Sequence, residues 1–138
     1  LCREEIIFNS QVNAQSYASE FPEPLRASLL SLTDSMFATC AYWLVGEANV
    51  LETAAVFSAI PALVLSGGYD PFSSPEWGAL TAETLSASFY VRIDGAGHIA
   101  LDSGDCAAAV ALRFLDDPTT RPDSSCAAEL VAPDFIVR

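Results

Sequence analysis

Apolar residues in PEPLRASLLSLTDSMFATCAYWLV, residues 22–45, recur at Leu25, Leu29, Leu32, Met36, Cys40 and Trp43. That spacing puts them on one face and predicts an amphipathic helix opened by a proline pair. Core packing accounts for the whole stripe. The preceding EEIIFNSQVNAQSYASEF is polar and mixed, and reads as loop with short helical pieces. GEANVLETAAVFSAIP carries Gly46 and Asn49 as breakers and reads as a connector with at most one helical turn. Then the texture changes. PALVLSGGYDP is a short unbroken apolar run closed by Gly67, Gly68 and Pro71, which suits a strand covered on both faces. SPEWGALTAETL predicts a helix with Ser74 as its cap, Pro75 in its first turn and Trp77, Leu80 and Leu85 roughly on one side, Trp77 as a packing aromatic. SASFYVRI, rich in aromatic and β-branched residues, predicts a second strand. GDCAAAVALRFLDD predicts a helix with Ala109, Leu112 and Leu115 inward. DPTTRPDSSC is a loop, and the tail AAELVAPDFIVR has no readable pattern.

From Pro61 to Asp117 the order is strand, helix, strand, helix, so the fold class is α/β. With 138 residues, 51% of them apolar, one packed domain is within reach. The 18 acidic residues against 6 basic ones give a net charge of −12, spread along the chain as on a solvated surface. Nucleic acid and anionic membrane surfaces are not expected as partners, because both require clustered Lys and Arg. No apolar run approaches the roughly 20 residues that span a bilayer. The chain opens LCREEIIF, with no methionine, basic start or cleavage pattern. Leu1 is therefore expected to be an internal point of a longer precursor.

Four cysteines occur, Cys2, Cys40, Cys106 and Cys126, with no C-x-x-C pair and one histidine in the chain. Zinc sites are usually built on closely spaced pairs, so no metal is expected. Two disulfides in an exported protein fit better, and four cysteines allow three pairings.

The single histidine, His98, lies in RIDGAGH, just past the second strand. Asp70 lies just past the first. In a parallel sheet, functional residues gather where strands hand over to the following loops, and adjacent strands bring two such loops together. A carboxylate there can accept the imidazole N–H and fix its tautomer, giving a base and its orienter. Asp94 and Asp102 are nearer in sequence and are the competing orienters. Glu76 and Trp77 read as substrate contacts or, more simply, as a helix first turn with a favourable acid and a packing aromatic.

IPALVLSGGYDPFSSPEWG followed by VRIDGAGHIALDSGDCA resembles the C-terminal, TAP-like part of the α/β-hydrolase-fold secreted bacterial tripeptidyl aminopeptidases. The G-x-x-D-P context, the P-E-W helix start, the G-x-G before the histidine and the cysteine soon after it carry the likeness. It runs from about Cys40, in CAYW, to Cys126. The resemblance implies that Asp70 is the acid and His98 the base of a catalytic triad. It also implies that the chain is the C-terminal fragment of an α/β-hydrolase fold, with the last parallel strands and helices of its sheet. Residues 1–45 would then be the end of a cap or connecting helical region, and residues 46–138 the C-terminal part of the catalytic domain.

One departure matters. No G-x-S-x-G nucleophile elbow occurs in the sequence. The nucleophile serine and much of the oxyanion hole are expected on a missing N-terminal portion. The implied parent is a secreted or cell-surface serine hydrolase acting on a peptide with a free N-terminus, without metal or organic cofactor. An esterase of the same fold is the second reading. The third is a non-catalytic lobe that self-associates or docks on a partner chain, since a sheet cut midway exposes an edge and an apolar face. Cys106 opens the helix after His98, and the loop DDPTTRPDSS is long enough to return beside it. Cys106 is therefore paired with Cys126, leaving Cys2 with Cys40.

Overall fold

Ala62–Gly67 forms strand β1 and Ser88–Ile93 forms strand β2, paired in parallel from Ala62 opposite Ser88 to Gly67 opposite Ile93. Parallel neighbours need a crossover, and the helix Pro75–Glu83 supplies it. The computed structural model describes residues 1–46, 48–131 and 136. Part of the tail whose form the sequence left open thus lies outside the described residues. The chain divides into two compact units, Leu1–Ala54 and Ala55–Arg138.

The first unit is helical. A 3-10 turn at Ile6–Phe8 precedes helix α1, Gln11–Ala18, and helix α2, Glu23–Trp43. Ser10 caps α1 by accepting the amide of Asn13 at 3.1 Å. Arg26 donates to the carbonyls of Phe21 at 2.7 Å and Ser19 at 2.9 Å, satisfying the chain just past the end of α1. The Cys2–Cys40 disulfide ties the start of the chain to the last turns of α2. The apolar stripe expected to be core is not buried: Leu25, Leu29, Leu32 and Trp43 are exposed. The half-covered residues of α2 are Arg26, Leu30, Thr33, Met36, Phe37 and Cys40, so of the expected stripe only Met36 and Cys40 are half-covered. The hydrogen bonds of Arg26 and the disulfide at Cys40 both lie on that half-covered face.

In the second unit, side chains alternate across the sheet, as the two-residue period of a strand requires. Leu63, Leu65, Val91 and Ile93 point one way, into a core completed by Ala96, Ala100, Ala107, Val110 and Ala127. Ala107 and Val110 come from helix α4, Asp105–Asp116. Ile93 and Val110 are fully enclosed. The Cys106–Cys126 disulfide packs against this core and joins α4 to the 3-10 turn Ser125–Glu129. Both disulfides thus join the residues paired above.

Ser66 and Tyr90 point the other way, to the crossover helix, now α3. Ser74 caps it, accepting the amide of Glu76 at 3.3 Å, and Pro75 occupies its first turn. The Tyr90 hydroxyl donates to the Pro75 carbonyl at 2.8 Å, tying β2 to the start of α3. The expected inward faces need correction. Trp77 and Leu80 on α3 are exposed, as are Leu112 and Leu115 on α4. The covered residues of α3 are Pro75, Gly78, Ala79 and Ala82, a face of small side chains. A β-carbon at Gly78 would strike the Ser66 hydroxyl, so only a bare backbone lets the helix lie this close to β1. On α4 the covered residues are Cys106, Ala107, Ala109, Val110, Ala111 and Phe114, so Ala109 is covered as expected. Close approach selects small residues on α3, and Trp77, Leu80, Leu112 and Leu115 are turned outward.

Candidate active site

Gly67 and Gly68 end β1 where the turn after β2 passes over it. A β-carbon on Gly67 would lie 2.6 Å from the Ala96 carbonyl oxygen, and one on Gly68 would lie 2.6 Å from that of Asp94. Contacts this short do not occur with real side chains, so the glycine pair is what admits the second loop. Hydrogen bonds then join the loops. The Gly68 amide donates to Ile93 at 2.9 Å, and the Tyr69 amide donates to Ala96 at 2.9 Å. Asp70 and His98 follow these contacts on their respective loops.

The Asp70 carboxylate faces the imidazole. His98 Nδ1 lies 3.0 Å from each carboxylate oxygen. A carboxylate can only accept, so Nδ1 carries the proton of this contact, and in the neutral imidazole Nε2 is the acceptor nitrogen. One oxygen of Asp70 also accepts the amides of Phe72 at 2.8 Å and Ser73 at 2.9 Å. The side chain of Asp70 is 5% exposed and that of His98 is 51% exposed. Burial raises the carboxyl pKa. The amides of Ser73 and Phe72, with the hydrogen bond and charge of His98, outweigh it and hold Asp70 below the ordinary aspartate value. The carboxylate is therefore enclosed and ionised, and the imidazole it faces is half exposed.

Asp94 and Glu76 are engaged elsewhere. Asp94 pairs with Arg92 at 2.5 Å. Asp102 ends the 3-10 turn Ala100–Asp102. Glu76 accepts from Ser74 and lies 3.9 Å from Arg92. Trp77 is not such a bystander: with Val64, Ser66, Ser73 and Thr81 it lines an open cleft of about 370 Å³ that includes Asp70 and His98. Among the described residues, no group of three or more His, Cys, Asp or Glu side chains is gathered as a metal would need.

Phe72 is a residue the sequence did not single out. Its ring meets the His98 imidazole edge to face, with centroids 5.1 Å apart and planes at 65°. The available signal was an aromatic set in the turn-forming stretch DPFSSP, where no core is at hand to receive it.

The arrangement can hold one imidazole tautomer, accept a proton at Nε2 and stabilise the resulting cation. Residues 30–126 match the model of a protein family described as TAP-like protein. No curated protein and no solved structure matches the chain.

Proposed function

The chain belongs to the TAP-like protein family of α/β hydrolases, and from that premise we propose that it carries the acid and base of a secreted serine hydrolase. The observation that carries this reading is the approach of His98 Nδ1 to both Asp70 oxygens at 3.0 Å. In this reading His98 Nε2 takes the proton of a serine hydroxyl as that oxygen attacks a substrate carbonyl. The imidazolium, held by Asp70, returns the proton to the leaving amine as the C–N bond breaks. Water then repeats the cycle on the acyl-enzyme, with the proton passing through the same nitrogen. The parent is an aminopeptidase releasing short peptides from free N-termini, as the family resemblance implies. Residues 1–45 belong to the end of its cap or connecting region. Both disulfides fit an extracellular setting, and no helix among the described residues is long and apolar enough to cross a membrane.

The serine comes from polypeptide outside these 138 residues, because no G-x-S-x-G lies within them. The sheet supports such a partner. Parallel sheets are normally covered on both faces and wider than two strands, yet among the described residues this one pairs only β1 with β2. A lobe that docks without catalysing is the second reading, and the same unpaired edges favour it.

One experiment separates the two. The chain is assembled with the polypeptide bearing the elbow serine and assayed on peptides with free and acetylated N-termini. Cleavage confined to free N-termini, with fluorophosphonate labelling outside residues 1–138, is expected. Asp70→Asn should lower kcat by up to about 10⁴-fold. Labelling of a serine within residues 1–138, or an unchanged rate for Asp70→Asn, overturns the catalytic reading. Preference for esters over peptides would move the substrate to the esterase class.

A further inference from the structure

We propose that Phe72 is a positioning residue that fixes both members of the Asp70–His98 pair, its backbone amide holding the carboxylate and its ring bracing the imidazole. The inference rests on the catalytic reading above and adds to it a group that reading does not use. Phe72 is 73% exposed, so its ring does not serve the core. What it does contact is His98, edge to face at 5.1 Å. Its amide meanwhile donates to the Asp70 oxygen that also faces Nδ1, at 2.8 Å.

The need for a brace follows from the rest of the site. An imidazole turns about two side-chain torsions. The bond from Nδ1 constrains one edge of the ring, but the side chain is half exposed and borders an open cleft. An aromatic ring in T-shaped contact limits the swing that would carry Nδ1 off the carboxylate. Because the same residue anchors Asp70, acid and base are referenced to one point of the backbone and move together. Pro71, fixed at its own φ, stiffens the short link between the acid and the brace.

The test uses the fact that His98 is the only histidine in the chain, so its imidazole resonances need no assignment. Phe72→Leu keeps the amide and apolar bulk but removes the ring, and Phe72→Tyr restores the ring. In ¹⁵N-edited NMR of the full chain, Phe72→Leu should shift the imidazole carbon-bound protons through lost ring current. It should also change the Nδ1 and Nε2 shifts toward a mixture of tautomers. Phe72→Tyr should keep the original pattern. In the assembled enzyme Phe72→Leu should lower kcat between about twofold and about tenfold, the range of one aromatic pair, with KM unchanged. Nitrogen shifts identical to those of the unsubstituted chain would overturn the proposal. So would an effect on KM alone, which would make Phe72 a substrate contact. Asp70→Asn is the reference. If it leaves the rate unchanged while Phe72→Leu alters the tautomer, the catalytic reading fails and the brace stands. If it abolishes activity while Phe72→Leu leaves the imidazole unaltered, the brace fails and the catalytic reading stands.

Discussion

Gly67 lies so close beneath Ala96 that a β-carbon on the glycine would stand 2.6 Å from the alanine's carbonyl oxygen. Gly67→Ala must therefore displace the loop that carries His98. The expected cost is about 1–3 kcal/mol, the range for overpacking a closely fitted site. Denaturant unfolding measures it, and the imidazole resonances should lose the signature of the Asp70 contact. Gly97→Ala is the control. Its β-carbon would meet nothing within 4 Å, so it should leave that signature intact although it lies next to His98.

The depressed Asp70 pKa fixes the sign of a pH effect. A carboxyl more acidic in the folded chain than in the unfolded one, near 3.9, contributes stability that is complete above that value. The contribution disappears as pH falls through the lower folded value. Asp70→Asn should therefore be less stable than the unsubstituted chain at neutral pH, with the gap closing toward low pH. Unfolding midpoints from pH 7 to pH 2 measure the gap, and one that widens on acidification would contradict the assignment.

Removing the disulfides should weaken the chain by amounts set first by loop length. Cys106–Cys126 closes a separation of 20 residues, worth about 3 kcal/mol in the chain-entropy account. Cys2–Cys40 closes 38, worth about 4 kcal/mol. Cys106 and Cys126 also pack against the core, so their double alanine variant should lose more than its loop figure. Calorimetry of each double variant gives the order. A negligible loss at Cys106–Cys126 would mean that the α4 core holds without its staple.

Tyr90→Phe isolates one bond between strand and helix. It deletes the hydroxyl that reaches the Pro75 carbonyl at 2.8 Å and keeps the ring against Gly78. About 1 kcal/mol should be lost, the ordinary net worth of such a bond. Faster amide exchange should be confined to the first turn of α3. Uniformly faster exchange throughout the second unit would assign Tyr90 a wider role.

Much of the second unit was legible because its signals are backbone signals. The run ALVLSG can only be extended, Ser74–Pro75 starts a helix by capping and fixed φ, and Gly67–Gly68 marks a turn. These placed Asp70 and His98 at the ends of two strands, and the structure sets them within hydrogen-bond distance. Helix rotation was not legible. The sequence reading weighted Trp77, Leu80, Leu112 and Leu115 as core, whereas the sheet is approached through Gly78, Ala79, Ala107 and Val110. Size signals burial only where there is room. Phe72 escaped notice for a related reason, since its partner is a single polar ring rather than a periodic face.

Parallel pairing of β1 with β2 also orders the events of folding. Two strands joined by a tight turn can meet early, but these meet only after the crossover through α3 has closed. Asp70 and His98 are both carried beyond the far ends of that pairing. A nascent or partly folded chain therefore has a histidine without its carboxylate, and the Asp70–His98 contact comes into being only with the finished sheet. In refolding followed by NMR, the bound-tautomer signal of His98 should rise with the last phase, never ahead of protection in β1 and β2.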